Sequence, residues 1–157
     1  MKKIALSGEL GKGKFVLVDD DDFEELNKHK WHYGIRYARR TSKGSHSTRK
    51  VIWMHRVIMN TPPNMVMDHI DGDGLNNQKY NLRNCFPKEN ARNTRIASNN
   101  TSGYKGVYRF HKSWRAVIFL NGKMIHLKMC STPLEGAKIY NEAAIKYHGE
   151  FASLNKI

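Results

Sequence analysis

The sequence predicts an α+β protein built from two small parts, and three observations support this prediction. Short runs of aromatic and β-branched residues, typical of strands, alternate with stretches whose apolar residues have helical spacing. Turn-forming residues separate neighbouring runs, as in antiparallel sheets. A polar segment, SNNTSG (98–103), then divides the chain. We therefore expect an N-terminal part over residues 1–97, a linker over 98–103 and a C-terminal part over 104–157.

The N-terminal part is predicted to contain a short buried strand followed by a helix. FVLV (15–18) is the apolar run that predicts the strand. Asp20–Asp22 would cap the helix and favour its positive N-terminus, and Phe23 and Leu26 would share its buried face. An acidic run can also bind a metal ion, but a capped helix explains this one more simply.

A basic β-hairpin is predicted next, over WHYGIRYARRTSKGSHSTRKVIWMH (31–55). Aromatic and β-branched residues flank the turn-forming cluster TSKGSHS (41–47). A basic ribbon of this kind can follow a phosphate backbone, or it can form a charged sheet edge that resists aggregation. Its basic side chains include Arg36, Arg39, Arg40, Arg49 and Lys50.

Three short elements are predicted before the linker. They are a helix in RVIMNTPPNM (56–65) ended by its two prolines, a strand in YNLRNCF (80–86), and a helix in PKENARNTRIA (87–97). Pro87 suits the first turn of this last helix, where its missing N–H has no intrahelical partner to lose.

The C-terminal part is predicted to form a three-stranded antiparallel sheet packed on one helix. Asn121–Gly122 is the favoured two-residue turn between the last two strands, and Gly149 would end the helix. The strands are YKGVYRF (104–110), SWRAVIFL (113–120) and KMIHLKM (123–129), and the helix is TPLEGAKIYNEAAIKYHGE (132–150).

Charge and cysteine content restrict the class of protein. There are 27 Lys and Arg against 14 Asp and Glu, a formal net charge of +13, which predicts a polyanionic partner. No apolar run approaches the roughly 18 residues of a membrane span, and the N-terminus lacks the apolar core of a signal peptide. Cys85 and Cys130 lie far apart and form no CxxC pair, which argues against a zinc knuckle and a disulfide scaffold. We therefore expect a cytoplasmic protein with no membrane contact.

Acidic residues gather around one histidine in MDHIDGDG (67–74), although the chain as a whole is basic. Asp68, Asp71 and Asp73 surround His69. A calcium-binding loop is excluded because Leu75 occupies the next ligand position and no Glu follows at the twelfth. Asp71 and Asp73 more simply shape the turn. Adjacent residues on a strand point to opposite faces, so a catalytic Asp68–His69 pair would need a twisted strand end and further groups.

The segment from His55 to about Arg95 resembles the HNH nuclease family, specifically its phage and intron-homing branch. The matching motifs are His-Arg (55–56) before a short helix, Asp-His-x-Asp-Gly-Asp-Gly (68–74), Asn-Asn (76–77), Asn-Leu-Arg (81–83) and Glu-Asn (89–90). The resemblance implies the ββα-metal (HNH) fold, in which one helix lies across two short strands joined by a loop. Phe86 departs from the pattern, because the family usually has Thr or Ser there.

This resemblance also implies a role for each matching residue. His69 would be the general base, since a neutral imidazole can accept a proton from the attacking water. Asp68 and Asn90 would hold a divalent metal, Mg²⁺ or Mn²⁺. Asn81 would hold the loop and aim His69, and His55 would support the site.

The C-terminal part, over about Gly103 to Asn155, resembles the plant ethylene-response-factor (Apetala) DNA-binding domain. The matching motifs are Gly-Val-Tyr-Arg (106–109), Trp-Arg-Ala (114–116), Ala-x-x-Tyr-x-x-Ala-Ala (137–144) and His-Gly-x-x-Ala-x-Leu-Asn (148–155). In such domains the sheet enters the major groove, where arginine can read guanine edges. The implied contacts are Tyr108, Arg109, Trp114, Arg115 and Lys123, with Lys105 and Lys112 on phosphates. Trp114 suits the core equally well.

These expectations describe a metal-dependent homing-type endonuclease that acts as a monomer on double-stranded DNA inside a phage-infected host cell. It would hydrolyse a phosphodiester bond and nick one strand, with sequence preference from the C-terminal domain. Two alternatives remain: a DNA-binding protein that no longer cuts, and an RNA-binding or RNA-processing protein. The other predicted DNA contacts lie in the basic hairpin and in the helix that begins at Pro87; they are Arg36, Arg39, Arg40, Arg92 and Arg95.

Overall fold

The computed structural model describes residues 1–90 and 96–157, which form two compact units, Met1–Phe86 and Pro87–Ile157. It is a mixed α+β structure with several small antiparallel sheets and few helices, which confirms the predicted fold class at this level. The boundary between the units precedes the predicted linker, so the functional division at 98–103 stays a prediction. No helix in these described ranges is both long and apolar enough to span a membrane.

The first unit contains three antiparallel sheets: β1 with β2, β3-β4-β5, and β6 with β7. Its core is formed by apolar side chains of the first two sheets and the helices beside them, including the fully buried Val16, Trp31 and Met54. The elements are β1 (Lys2–Ala5), β2 (Phe15–Val18), α1 (Asp20–Asn27), β3 (His32–Gly34), β4 (Tyr37–Thr41), β5 (Val51–Trp53), α2 (Met54–Ile58), β6 (Val66–His69) and β7 (Leu82–Cys85).

The predicted basic hairpin is β4 with β5, but an additional strand, β3, pairs with β4 on its other side. The turn between β3 and β4 places Ile35 and Arg36 at φ 46° and 77°, in the left-handed region. Sequence reasoning missed this turn because neither residue is the Gly or Asn that such turns favour.

Asp20–Asp22 lie in the first turn of α1, where carboxylates favour the helix N-terminus as predicted, but none of them is the N-cap residue. The helix begins at Asp20 with Asp19 as its N-cap residue, and the Asp19 side chain makes no capping bond to its own helix. Asp19 Oδ2 instead accepts a hydrogen bond from the backbone N–H of Lys79 at 2.8 Å, and Asp22 pairs with the Lys79 ammonium at 2.9 Å. The run therefore anchors the loop between β6 and β7, since Lys79 lies in that loop.

The second unit is a three-stranded sheet, in the order β10-β9-β8, packed on one long helix. The predicted turn is confirmed, because Asn121 and Gly122 have φ 50° and 78°. Thr132 caps the long helix by accepting from Glu135 N at 3.2 Å, and Gly149 follows its last residue. The elements are α3 (Pro87–Asn90), β8 (Val107–Phe110), β9 (Ser113–Leu120), β10 (Lys123–Cys130) and α4 (Pro133–His148).

Candidate active site

Asp68 and His69 end strand β6, and both are 5% exposed. Their side chains have different surroundings, as expected for adjacent strand residues. Asp68 lies opposite Arg83 in the register of β6 with β7, whereas His69 meets residues of the loop and of the β3-β4-β5 sheet. At the end of β6 the carboxylate of Asp68 therefore contacts β7, and the imidazole of His69 contacts the loop and the β3-β4-β5 sheet.

The His69 ring is hydrogen-bonded by Asn77, a residue of the loop. His69 Nε2 lies 3.0 Å from Asn77 Oδ1, and Asn77 is fully buried. Asn77 is itself fixed, because its N–H donates to the carbonyl of Leu17 at 2.8 Å and its Nδ2 lies 3.7 Å from the sulfur of Met54. An amide oxygen only accepts, so this contact places a proton on Nε2 and leaves Nδ1 as the basic nitrogen of the neutral ring.

Aromatic and histidine rings enclose His69 on its other sides. Tyr37 stacks on it with ring centroids 5.5 Å apart, and His55 meets it edge-on at 5.3 Å. Trp53 stacks on His55 at 6.1 Å. His55 therefore packs against the predicted base, and its supporting role stays a prediction.

Burial keeps both imidazoles neutral. It lowers the pKa of His69, although the hydrogen bond that the ring donates to Asn77 acts in the opposite direction. Burial lowers the pKa of His55 to about 3, and repulsion from the His69 ring, whenever that ring is protonated, acts in the same direction. The buried His55 Nδ1 has no hydrogen-bond partner among the described residues, which further disfavours a charged ring. A neutral His69 near pH 7 is the form that can accept a proton.

The two other carboxylates of the acidic stretch shape the loop. Asp71 Oδ1 accepts from Asp73 N at 2.7 Å and from Asn81 Nδ2 at 2.9 Å, while its Oδ2 accepts from Asn76 Nδ2 at 2.8 Å. Burial acts to raise the pKa of Asp71, but these hydrogen bonds outweigh it and hold that pKa below its usual range. Asp73 accepts from Leu75 N at 3.0 Å in the same way.

Asn81 makes its hydrogen bonds within the loop, whereas the His69 ring donates its hydrogen bond to Asn77. The Asn81 amide donates to Asp71 and to the carbonyl of Asn76, both at 2.9 Å, and accepts from Asp71 N at 3.0 Å. Sequence reasoning assigned the aiming of His69 to Asn81 and placed Asn77 only in the loop. The Asn-Asn pair (76–77) was the available signal, but it did not indicate which amide reaches the ring.

Asp68 is paired with a cation of the protein itself. Arg83 donates Nε and Nη2 to the same carboxylate oxygen, Oδ2, at 2.9 and 2.6 Å. Both side chains are largely buried, with 6% of Asp68 and 14% of Arg83 exposed. The Asp68 position thus accommodates positive charge, as a metal ligand requires.

A close backbone approach joins the loop to the β3–β4 turn. A Cβ at Gly74 would lie 2.3 Å from the carbonyl oxygen of Arg36 and 2.6 Å from the Tyr37 ring. The Arg36 guanidinium also donates to the carbonyl of Gly72 at 3.3 Å. Only glycine leaves room at position 74 for the backbone of Arg36 and the ring of Tyr37. The same Tyr37 ring stacks on His69.

The donor set suggested for a metal combines Asp68 with Asn90. A carboxylate and an amide oxygen completed by water suit Mg²⁺ or Mn²⁺. The Arg83 guanidinium is a positive group bound to the Asp68 carboxylate, at the position where a metal cation would bind. The Asp68 part of the proposed site therefore fits a cation. Asn90 lies in α3, in the second unit. Within residues 1–90 and 96–157, no three His, Cys, Asp or Glu side chains gather in a way that could hold a metal ion.

The residues predicted to bind DNA in the second unit divide between the two faces of its sheet. Tyr108 pairs with Arg115 on one face, and Arg109 pairs with Trp114 on the other, where its guanidinium lies 5.1 Å from the Trp114 ring. Trp114 alternates with the buried Ala116 and Ile118, and Ile118 packs on α4. Trp114 and Arg109 therefore lie on the face that α4 covers in part. Lys123, opposite Leu120, lies on this face as well.

The remaining predicted DNA contacts have varied positions. Arg36 lies in the β3–β4 turn, Arg39 and Arg40 are half-buried in β4, and Arg40 lies 5.5 Å from the Trp31 ring. Lys112 lies in the turn between β8 and β9, and Lys105 precedes β8. Arg92 and Arg95 lie outside the described residues.

Comparison with known proteins identifies viral relatives of this chain. The chain is 33% identical over 149 residues to the uncharacterized HNH endonuclease L560 of Acanthamoeba polyphaga mimivirus, an alignment that covers 94% of this chain and 78% of the relative. It is 36% identical over 93 residues to Protein 3.8 of Escherichia phage T7, covering 58% of this chain and 76% of that protein. No family model matches the chain. No solved structure gives a significant match.

A buried histidine beside an aspartate, at the end of a small antiparallel strand pair, defines a candidate hydrolytic centre. The similarity to the mimivirus protein extends over nearly the whole chain. The chain belongs to the HNH endonuclease family.

Proposed function

We propose that this protein is a divalent-metal-dependent endonuclease that hydrolyses a phosphodiester bond of double-stranded DNA. The observation that carries the proposal is the state of His69: a buried, neutral imidazole with its Nε2 on Asn77, directly beside the Asp68 carboxylate. Such a ring is a general base, and a net charge of +13 suits a polyanionic substrate.

In this mechanism His69 Nδ1 accepts a proton from the water that attacks phosphorus. Asn77 holds the ring in the required tautomer, and Tyr37 fixes the plane of the ring by stacking on it. Asp68 and Asn90 would hold the cation, which when bound stabilises negative charge on the phosphoryl oxygens and the departing 3′-oxygen. The water oxygen forms the new bond to phosphorus, the P–O3′ bond breaks, and the 3′-oxygen leaves with the electron pair of that bond.

The fold of the centre is proposed to be the ββα-metal arrangement. Strands β6 and β7 would be its two strands, the loop 70–81 its connection, and α3 the helix that presents Asn90. The antiparallel register of β6 with β7 and the chain order strand, loop, strand, helix support this assignment.

The second unit is proposed to supply DNA affinity and some sequence preference, as an ethylene-response-factor-like domain would. Its three-stranded antiparallel sheet on one helix supports the proposal. Tyr108 and Arg115, paired on the face opposite Ile118, are the best placed to meet base edges. Lys105 and Lys112, outside the strands, suit phosphate contacts, since these set register without reading sequence.

The decisive experiment is a cleavage assay on supercoiled plasmid with and without Mg²⁺ or Mn²⁺, comparing wild type with His69→Ala and His29→Ala. His29 is an exposed histidine of the same unit and serves as the matched control. His69→Ala should cut roughly 10²–10⁴-fold more slowly, the contribution of a general base, with unchanged DNA affinity. A His69→Ala variant that cuts at wild-type rate would rule out this mechanism. DNA binding without any cleavage by wild type would indicate a DNA-binding protein instead, and preference for RNA over duplex DNA would indicate an RNA-directed function.

A further inference from the structure

Asp68 has a cationic partner built into the neighbouring strand. Arg83 is its register partner in β7, and two N–H groups of the guanidinium point at the single oxygen Oδ2, at 2.9 and 2.6 Å. The pair is largely removed from water, with 6% and 14% of the two side chains exposed. Removing one partner of a buried ion pair is in general strongly unfavourable.

Two other basic side chains of this unit have partners of a different kind. Arg56, also partly buried, donates to the neutral carbonyls of Met65, Thr61 and Pro62 at 3.1 to 3.3 Å. The Lys79–Asp22 pair keeps half of the lysine side chain exposed. The Arg83 guanidinium thus forms a largely buried ion pair with the carboxylate that the proposed function assigns to the metal.

We propose that Arg83 is the counter-ion of Asp68 in the cation-free protein and that its guanidinium competes with a divalent cation for this carboxylate. The proposal rests on the assignment of Asp68 as a metal ligand. Two positive groups brought to one buried carboxylate repel each other, so Arg83 must release or share Oδ2 when a cation binds. Arg83 therefore weakens cation binding in the free protein while keeping the site folded without metal.

A released guanidinium is well suited to a phosphate, because its planar fork can donate two parallel hydrogen bonds to phosphate oxygens. Arg83 would then exchange the Asp68 carboxylate for a DNA phosphate as the cation arrives. Cation and DNA would consequently bind more tightly together than separately, and Arg83 would be the residue that couples them.

The competition is tested on the full chain by calorimetric titration with MnCl₂ or MgCl₂ alone, and by thermal unfolding with and without each salt. The variants are Arg83→Met, Arg83→Lys and, as a matched control for loss of a partly buried arginine, Arg56→Met. Arg83→Met should bind Mn²⁺ roughly tenfold more tightly than wild type, because the competing charge is gone. Without cation, Arg83→Met should also unfold at a lower temperature than wild type. Added cation should raise its unfolding temperature by more than that of wild type. Arg83→Lys should show a smaller change of the same sign, and Arg56→Met should bind like wild type.

Equal or weaker Mn²⁺ binding by Arg83→Met would overturn the competition and make Arg83 a residue that positions the carboxylate. If Arg83→Met does not fold, the Arg83→Lys variant decides. Weaker Mn²⁺ binding by Arg83→Lys than by wild type would then overturn the competition. Cation-dependent cleavage by wild type together with unchanged affinity in Arg83→Met would reject this proposal alone. Absence of cation binding in wild type and in every variant would instead reject the metal assignment of the proposed function.

The coupling is tested in a His69→Ala background, which prevents cutting during the titration. A DNA duplex should tighten Mn²⁺ binding when Arg83 is present, and this effect should disappear in His69→Ala/Arg83→Met. If DNA tightens Mn²⁺ binding equally with and without Arg83, Arg83 does not move from Asp68 to a DNA phosphate.

Discussion

Asn77 Oδ1 lies 3.0 Å from Nε2 of His69. The backbone N–H of Asn77 donates to the carbonyl of Leu17, and its side-chain Nδ2 lies 3.7 Å from the sulfur of Met54. The residue that aligns the predicted base is thus fixed by strand β2 and helix α2 of the same unit. Rigid support of this kind holds a catalytic side chain in one orientation and one tautomer.

Asn77→Ala should slow cleavage by about 10- to 100-fold, the usual effect of losing a group that orients a catalytic residue. DNA affinity measured without metal should not change, since Asn77 is fully buried. Asn77→Asp keeps an acceptor but adds a negative charge, so it should raise the pKa of His69 and move the acid limb of the pH–rate profile to higher pH. Identical pH profiles for wild type and Asn77→Asp would show that Asn77 does not contact the working base.

Gly74→Ala should destabilise the first unit and reduce cleavage together. The new methyl group would meet the backbone of Arg36 at 2.3 Å, and a backbone atom cannot move aside as a flexible side chain can. We expect a loss of roughly 1–3 kcal/mol in the free energy of unfolding, measured by urea denaturation. Gly13→Ala is the control, since a Cβ there meets nothing within 4 Å, although its φ of 72° adds some local strain. A Gly74→Ala protein as stable and active as wild type would exclude the close approach.

Acid should unfold the first unit through its buried histidines. The pKa of His55 is lowered to about 3 by burial, below its ordinary value of 6.5. The unfolded state therefore binds more protons between these values, so this stability is complete above pH 6.5 and decreases as pH falls toward 3. The slope should be about 1.4 kcal/mol per pH unit for His55, measured by denaturant unfolding across this range. His55→Phe should flatten that slope, and an unchanged slope would contradict neutral burial of His55.

The two faces of the second sheet should respond differently to substitution. Arg115→Ala should lower discrimination at one base pair by about 1–3 kcal/mol with little effect on stability. Trp114→Ala should instead cost roughly 1–3 kcal/mol of stability, because Trp114 shares its face with the buried Ala116 and Ile118. Binding to a library of DNA sequences, combined with thermal unfolding, separates the two effects. The reverse pattern would place the DNA on the face that packs against α4.

The chain carries one Asp68–His69 pair, so a monomer should nick one strand of an asymmetric site. Supercoiled plasmid should become open circles before any linear form appears, at a rate proportional to enzyme concentration. Direct conversion to linear DNA with a palindromic consensus at the cut would mean that two chains act together.

Local patterns in the sequence were sufficient for the elements whose signals are short-range. The Asn121–Gly122 turn and the end of α4 at Gly149 formed where predicted, because each depends on the conformational preferences of a few neighbouring residues. The turn at Ile35 and Arg36 was not predicted, because no local residue preference indicates it. Its positive φ angles occur at residues that do not favour them, in a turn that joins the paired strands β3 and β4.

The sequence by itself determined the α+β class and the chemical groups of the site, including Asp68, His69 and the loop asparagines. The tertiary structure decided which groups meet. It selected Asn77 for the His69 ring, stacked Tyr37 on that ring and set Arg83 opposite Asp68, 15 positions away along the chain. Such contacts depend on strand register and on the packing of distant segments, which residue type and spacing do not specify.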